Sequence, residues 1–195
     1  MANHTVTFPV TDPQEILKLR AGDEVTVQGR IIGIRDRTQV RIFDQGVEPP
    51  MDLSGALLLH TAPGVRKLEN GRYEKVCIGT TTSARMVRFT EPLGRRYGVR
   101  AICGKGGFPD EAIEPMHELG MVYFAIVGGA AALETTQIEE IEEVMWEELM
   151  PECLWKFRVK DFGPLTVGID AHGNSLYHDV QIAAQAKLKE IYARL

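Results

Sequence analysis

The chain has 195 residues, of which 44% are hydrophobic and 25% are charged, and its formal net charge is −5. This profile is typical of one soluble domain with a sizeable core and excludes a disordered tail. Because basic and acidic residues are interspersed, the sequence provides no basic face to neutralise phosphates, and we expect no nucleic-acid partner.

The sequence carries no signal for a membrane or for export. The longest nearly apolar stretch, residues 121–133, contains two glycines and is shorter than the ~20 residues of a membrane-spanning helix. No basic segment leads into an apolar one at the N-terminus, so a cytoplasmic location is expected. The cysteines Cys77, Cys103 and Cys153 are too widely spaced for a disulfide framework or a CxxC metal site, and we predict three buried thiols.

The first half of the chain is predicted to be rich in β-structure. A short helix begins after Thr11 and is closed by Gly22. In residues 24–35 apolar side chains recur around two glycines, which predicts a bent strand or a hairpin. Two more strands are predicted over 53–60 and 73–78.

The second half alternates helices and strands. The predicted elements are a helix over 83–97, a strand over 99–103, a helix over 110–119, a strand over 121–127, a helix around 136–149, a strand over 165–170 and a final helix over 179–193. This βαβ-like order predicts some parallel pairing within a mixed sheet. No repeat or linker is visible, so residues 1–195 are predicted to form a single domain.

The helix around 136–149 is predicted from apolar residues at helical intervals between Ile138 and Leu149. The six glutamates of this run would then lie largely on the opposite face. A solvated helix face is the simpler interpretation, and a docking surface is the alternative.

Two turns between a strand and a helix could bind an anion. Residues 104–107, Gly-Lys-Gly-Gly, stand where backbone N–H groups and a helix N-terminus hold phosphates or carboxylates. The spacing excludes a Walker A loop, and taken alone the segment is typical of a tight turn with an exposed lysine.

The second turn contains four consecutive hydroxyl residues, 80–83, followed by Arg85. Such a run can cap a helix or bind an anion, and Arg85 could clamp a carboxylate with two hydrogen bonds. A capping box with a solvated arginine is the structural alternative. The presence of both turns favours a site.

Two further candidates are weaker. Arg35 lies in an Arg-Asp-Arg cluster with Gln39 beyond it, and this cluster could simply be a polar hairpin tip with exposed ion pairs. His60 ends an apolar strand, where it could contact a ligand or cap the sheet.

Together these stretches resemble the β subunit, or C-terminal domain, of the class I fumarase and L(+)-tartrate dehydratase family of iron–sulfur hydro-lyases. The stretches that carry the resemblance are residues 22–23, 35–36, 81–86, 104–107, 162–165 and 169–174. Residues 136–144 with Trp146, and residues 151–152 followed by 154–155, look most like the tartrate dehydratase branch.

The resemblance implies an α/β fold of the swivelling β/β/α type, in agreement with the β-rich first half and the βαβ-like second half. It also implies a partner. In this family an α subunit binds a [4Fe–4S] cluster through three cysteines, so this chain is expected to hold no metal itself. An α2β2 assembly is the implied form.

Site roles follow from the same resemblance. It implies that Arg35, Arg85 and Lys105 bind carboxylates and that Thr81 takes part in proton transfer, although neutral threonine is a poor base. The other residues expected to bind substrate are Thr82, Ser83, Gly104, Gly106, Gln39 and His60.

The sequence departs from the family pattern at two places. Gln39 stands at the usual histidine of Arg-Asp-x-x-His-x-Arg, and the usual Gly-Pro appears within residues 60–64 as His-Thr-Ala-Pro-Gly. Glutamine forms hydrogen bonds but does not titrate near neutral pH, so an acid–base role at this position would be lost or moved to another residue.

The expected reaction is dehydration of a hydroxydicarboxylate, in the first place L(+)-tartrate to oxaloacetate. The alternatives are a class I fumarate hydratase β subunit, acting on fumarate and malate, and a non-catalytic binding or assembly module of the same fold.

Overall fold

Seven strands join one mixed sheet in the computed structural model, which describes residues 1–192. In chain order the elements are β1 (Asn3–Phe8), α1 (Gln14–Leu17), β2 (Glu24–Ile34), α2 (Asp36–Phe43), β3 (Leu57–His60), β4 (Gly64–Lys67), β5 (Tyr73–Cys77), α3 (Thr90–Tyr97), β6 (Ala101–Gly104), α4 (Ile113–Leu119), β7 (Val122–Ala125), β8 (Ile138–Met145), β9 (Leu154–Ile169) and α5 (Leu176–Tyr192). Short 3₁₀ helices at Ala84–Phe89 and Asp110–Ala112 lead into α3 and α4.

The sheet has the strand order β1-β2-β3-β6-β7-β9-β8. Neighbours from β1 to β7 are parallel, whereas β9 runs antiparallel to β7, β8 and β2. Because β9 also pairs with β2, the strands β2, β3, β6, β7 and β9 close into a five-stranded barrel-like arrangement. The remaining strands, β4 and β5, form a separate antiparallel pair. The predicted mixed α/β fold with parallel pairing is confirmed.

The core lies on both faces of the central strands. In β3, Leu57 and Leu59 pack into one apolar cluster, and Leu58 packs into the other. Strands covered on both faces read as continuous apolar runs, which is why β3 and β7 lack the polar alternation of a one-sided sheet.

Residues 24–34 form one long strand, β2, so the bent-strand prediction is confirmed and the hairpin alternative is wrong. Its register against β9 shifts on both sides of Val27, and Gly29 has φ +89°. A Cβ at Gly29 would collide with the Phe8 carbonyl oxygen of β1. Glycine therefore permits both the bend and the close approach of the neighbouring strand.

The helix predicted around 136–149 is wrong, since this segment contains strand β8. Its apolar residues Ile138, Ile141 and Val144 recur every third position, which is typical of a helix. Two bulges in β8, between Ile138 and Glu140 and between Ile141 and Glu143, each insert one extra residue opposite β9. The bulges convert a spacing of three into the spacing of two that a strand requires, so all three apolar residues lie on the same face of the sheet as their partners Val159, Phe157 and Trp155.

The glutamates of β8 are paired within the sheet instead of forming a solvated helix face. Arg158 of β9 contacts Glu139 and Glu140 at 2.8 and 2.7 Å, and Lys156 contacts Glu143 at 2.7 Å. Arg30 of β2 reaches Glu142 at 2.8 Å. These cross-strand ion pairs account for the run of like charge.

Other boundaries differ from the predictions. Residues 36–43 form helix α2 instead of a hairpin tip, strand β4 was not predicted, and β9 begins 11 residues before the predicted strand over 165–170. The final helix starts at Leu176, and the predicted last residue, 193, lies outside the described residues. The strands and helices predicted between 73 and 127 are confirmed in position and type.

Two of the three predicted buried thiols are confirmed. Cys103 and Cys153 are buried, but Cys77 is exposed because it ends a strand of the separate two-stranded sheet. No described helix combines the length and the apolar character needed to cross a bilayer.

Candidate functional site

The residues predicted to form a site lie at the carboxyl edge of the parallel strands. Arg35 directly follows β2, His60 ends β3, and Lys105 follows Gly104 at the end of β6. Because β2, β3 and β6 are parallel neighbours, their carboxyl ends meet at one edge. This is the edge at which α/β sheets bind ligands.

The hydroxyl-rich turn lies between the ends of β3 and β6. The Thr81 N–H donates to the His60 carbonyl at 2.9 Å, and the Lys105 N–H donates to the Thr81 carbonyl at 3.1 Å. The Ser83 N–H donates to the Lys105 carbonyl at 3.0 Å. These backbone bonds bring the two anion-binding candidates, separated by about twenty residues in sequence, side by side.

Glycine is required at two positions of the loop after β6. A Cβ on Gly104 would overlap the Ser83 hydroxyl oxygen, so only glycine lets the two segments approach. Gly106 has φ +79°, and a Cβ there would lie 3.0 Å from Cγ2 of Thr82. The loop conformation is thus specified by its glycines.

Arg85 is held by a carboxylate that the sequence interpretation did not pair with it. Its Nε and one terminal nitrogen each donate to Asp36 at 2.7 Å, and the other terminal nitrogen donates to the Thr82 carbonyl at 3.1 Å. Arg35 also donates to Asp36, at 3.2 Å, and lies 3.9 Å from Glu152. The two arginines therefore flank one acidic residue at the N-terminus of α2.

The charges in this cluster stabilise one another. Burial by itself would raise the pKa of the Asp36 carboxyl, but the hydrogen bonds and charge of Arg85, with help from Arg35, hold that pKa below its ordinary value. The hydrogen bonds to Asp36 in turn raise the pKa of Arg85. Asp36 and Arg85 are therefore both ionised in the neutral range.

Lys105 supplies a third positive charge at the same edge. The Lys105 side chain runs along the turn after β7, which contains Gly128. A Cβ placed on Gly128 would lie 3.5 Å from Cδ and 4.0 Å from Nζ of Lys105. Within residues 1–192 no carboxylate forms a salt bridge with Lys105, since the acidic groups of this edge bind the arginines. Its charge is available to an anion.

His60 is part of a buried polar network. Its Nδ1 lies 2.9 Å from the Ser83 hydroxyl, which lies 3.1 Å from the Tyr123 hydroxyl. The Nε2 atom is buried and has no hydrogen-bond partner among the described residues. Burial, reinforced by the charge of Arg85 and opposed by that of Asp36, lowers the pKa of His60 to about 3. His60 is therefore neutral at physiological pH.

Tyr123 was not found by sequence reasoning. It belongs to the buried strand β7, and its hydroxyl donates to the Gly104 carbonyl at 2.8 Å. A buried tyrosine needs a hydrogen-bond partner for its hydroxyl, and this is the only local signal that the sequence offers.

Gln39 and Thr81 are both buried at this edge. The Gln39 amide nitrogen lies 3.0 Å from Sδ of Met86, in the 3₁₀ helix that carries Arg85, whereas its Oε1 atom has no partner in the described part of the chain. Thr81 is 7% exposed. The structure thus brings all ten predicted site residues to one region, around the ends of β2, β3 and β6.

Within residues 1–192, the cysteines do not form a ligand set that fits an iron–sulfur cluster. Cys103 and Cys153 are buried in the core, and burial raises the pKa of both thiols, that of Cys153 to about 11. Thiolates are the metal-binding form, so such thiols are poor ligands. Across residues 1–192, no three His, Cys, Asp or Glu side chains form a group able to hold a metal ion.

Comparison with known proteins gives consistent matches. The family model described as fumarase C-terminus matches residues 3–180. An Escherichia coli protein named L(+)-tartrate dehydratase subunit beta is 41% identical over 173 residues, which make up 88% of this chain and 85% of that protein.

Two further relatives are informative. A Methanocaldococcus jannaschii protein, provisionally named L(+)-tartrate dehydratase subunit beta, is 36% identical over 190 residues, covering 95% of this chain and 97% of that protein. A Geobacillus stearothermophilus protein, provisionally named fumarate hydratase class I, is 36% identical over 187 residues, covering 95% of this chain and 36% of that longer protein.

Proposed function

The chain belongs to the fumarase C-terminus family, and from this premise we propose that it is the β subunit of a hydro-lyase that dehydrates a hydroxydicarboxylate. The proposed substrate is L(+)-tartrate, and the products are oxaloacetate and water. The observation that carries the proposal is the convergence of Arg35, Arg85 and Lys105 with a row of hydroxyls at the carboxyl edge of the sheet.

The chemistry of the reaction explains the need for three cations. The substrate has two carboxylates, and removal of the proton from carbon places additional negative charge on the adjacent carboxylate. Fixed cations stabilise this charge more strongly in the transition state than in the ground state, which is the requirement for catalysis. Loss of the proton and of the neighbouring hydroxyl gives the enol of oxaloacetate.

Each cation has a distinct proposed role. Lys105, the cation without a carboxylate partner in the described structure, binds one substrate carboxylate. Arg85, oriented by Asp36, presents its remaining donors to the same region together with Arg35. Thr81 lies between His60 and Lys105 in the backbone network, and we assign it to proton transfer. Because threonine is a weak base, it would work as a relay to a stronger acceptor.

The proposal makes this chain half of an enzyme. The Escherichia coli relative is named as a subunit beta, and the residues that the structure describes offer anion-binding groups but no ligand set for iron. We therefore propose that an α subunit contributes the [4Fe–4S] cluster and the rest of the site, in an α2β2 assembly. The cysteines are free, which is compatible with the reducing cytoplasm that we propose as its location.

The second candidate is the β part of a class I fumarate hydratase. It is favoured by the similarity to the Geobacillus stearothermophilus protein, whose provisional name gives that activity. Both candidates need the same carboxylate-binding cations, so they differ in the groups that contact the substrate hydroxyl.

The test is anaerobic turnover by the chain alone and by its complex with a cluster-bearing α subunit. The substrates are L-tartrate, meso-tartrate, D-tartrate, malate and fumarate. We expect activity only in the complex, with L-tartrate preferred. Preference for malate or fumarate would support the second candidate, and no turnover by a fully loaded complex would overturn both and favour a non-catalytic module.

A further inference from the structure

The buried network around Ser83 links His60 to Tyr123 through two hydrogen bonds, and its distances favour one arrangement of the protons. The Tyr123 hydroxyl lies 2.8 Å from the Gly104 carbonyl, which can only accept, and 3.1 Å from the Ser83 hydroxyl, so we assign the phenol proton to the shorter contact. Burial raises the pKa of Tyr123 well above its ordinary value, so that proton is present. The Tyr123 oxygen is then free to accept from its second neighbour.

The second neighbour is Ser83, whose hydroxyl oxygen lies 3.1 Å from that of Tyr123. Since the Tyr123 proton is used, the hydrogen bond between the two hydroxyls needs the Ser83 proton. The Ser83 oxygen can then only accept from His60, 2.9 Å away, and Nδ1 of His60 must carry a proton. A neutral imidazole protonated at Nδ1 has an unprotonated Nε2.

The unprotonated Nε2 is buried and has no partner within the described chain. It lies at the end of β3, and the charges of Asp36 and Arg85 both act on its ring. A buried acceptor needs a donor. A substrate carboxylate cannot donate, whereas a substrate hydroxyl can.

We propose that Nε2 of His60 accepts a hydrogen bond from a hydroxyl of the substrate, and that Tyr123, acting through Ser83, is the positioning residue that keeps Nε2 unprotonated. The inference rests on the proposed function, because it assumes a hydroxydicarboxylate. It makes His60 a determinant of specificity: the second hydroxyl of tartrate satisfies Nε2, and malate, which lacks that hydroxyl, leaves it unpaired. Sites that hydrogen-bond a hydroxyl reject analogues without it.

The first test needs no substrate and no variant. In the full chain, ¹⁵N NMR of the histidine rings distinguishes protonated from unprotonated nitrogens, and His60 is identified as the histidine that remains neutral down to about pH 4.5, in accord with its lowered pKa. We expect a proton on Nδ1. A proton on Nε2 in the wild type would overturn the proposal.

The second test replaces Tyr123 with phenylalanine. The ring stacked on Phe108, at 4.7 Å between centroids, is kept, and the Gly104 carbonyl retains the Ile126 N–H as a donor at 3.0 Å. In Tyr123→Phe the Ser83 proton is free to turn toward His60, so we expect Nε2 to become protonated. Tyr177→Phe is the matched control, since it removes a phenol hydroxyl near Tyr123 that takes no part in the network.

The third test is kinetic and uses the complex with the α subunit. In Tyr123→Phe the ratio of kcat/KM for L-tartrate to kcat/KM for malate should fall by about 10 to 100-fold, because Nε2 no longer accepts from the second hydroxyl. Tyr177→Phe should leave the ratio unchanged. An unchanged ratio in Tyr123→Phe with an altered tautomer would show that Nε2 does not contact a substrate hydroxyl, and would overturn that half of the proposal.

Failure of the proposed function has a different signature. If the wild-type complex turns over neither tartrate nor malate, the proposed substrate class is wrong, and no substrate hydroxyl can be assigned to Nε2 of His60. The NMR result then judges the positioning role of Tyr123 independently, because it is measured on the chain without substrate.

Discussion

Asp36 holds the guanidinium of Arg85 by two hydrogen bonds, each 2.7 Å long. The two residues are 49 positions apart and meet because α2 packs against the 3₁₀ helix Ala84–Phe89. A further bond to the Thr82 carbonyl fixes the direction of the side chain. An arginine held in this way loses little additional freedom when it binds an anion.

Asp36→Asn should lower kcat/KM of the assembled enzyme by about 10 to 100-fold, because Arg85 loses its orienting partner. The free energy of unfolding should change by less than ~1 kcal/mol, since the ion pair is partly exposed. Asp44→Asn is the matched control, because Asp44 also accepts two hydrogen bonds from one arginine, Arg88, at another place. Steady-state kinetics and urea denaturation give both quantities, and equal kinetic losses in the two variants would contradict the orienting role.

Lys105→Met should lower kcat/KM by about 100-fold or more, because one preorganised charge that stabilises the transition state is removed while the apolar stem is retained. Lys18→Met provides the comparison, since Lys18 is an exposed lysine paired with Glu15. Circular dichroism should show both variants folded. Turnover of Lys105→Met within twofold of the wild type would remove Lys105 from the proposed site.

Gly104→Ala should destabilise the chain by about 1 to 3 kcal/mol, because the new methyl group overlaps the Ser83 hydroxyl and forces the buried network apart. Gly129→Ala should have little effect, since a Cβ at Gly129 has no neighbour within 4 Å. The urea midpoint of each variant measures the difference. Similar midpoints would mean that the loop relaxes without cost.

The stability of the chain should fall as pH decreases from 6.5 toward 4. The unfolded chain binds a proton at His60 near its ordinary pKa of 6.5, whereas the folded chain binds one only near about 3. The unfolded state therefore holds more protons in this window, and stability is lost on acidification at up to ~1.4 kcal/mol per pH unit. Asp36 adds a further loss of stability at lower pH, because its pKa in the folded chain is lowered from 3.8 and the carboxyl is protonated only below this window.

Urea denaturation at several pH values measures this slope in the wild type and in His60→Asn. The variant should show a smaller dependence between pH 6.5 and 4, because the group responsible has been removed. The same slope in both proteins would assign the pH dependence to other residues.

The location of the candidate site was predictable because it depends on local signals. Hydroxyl and glycine-rich turns after apolar strands indicate ligand-binding edges, and parallel pairing then brings Thr81 and Lys105 together. The partners of these residues were not predictable in this way. Asp36 lies far from Arg85 in sequence, and Tyr123 looks like any other apolar residue of a buried strand, so only the tertiary structure shows what their polar atoms contact.

The secondary structure of β8 could not be inferred from periodicity. The same spacing of Ile138, Ile141 and Val144 suits one face of a helix and also a strand with two bulges. The deciding factor is the neighbouring strand β9, where Trp155, Phe157 and Val159 alternate at a spacing of two. Tertiary pairing of this kind overrides a local pattern.

Strand β8 is also an edge strand of the seven-stranded sheet. The exposed backbone groups of an edge strand can pair with a strand from another molecule and so begin aggregation. Here the two bulges interrupt the row of backbone groups, the glutamates surround it with charge, and the Lys75 ammonium binds the Ile138 carbonyl. The irregularity that hides this strand from sequence analysis therefore also disfavours the pairing of this edge with a strand from another molecule.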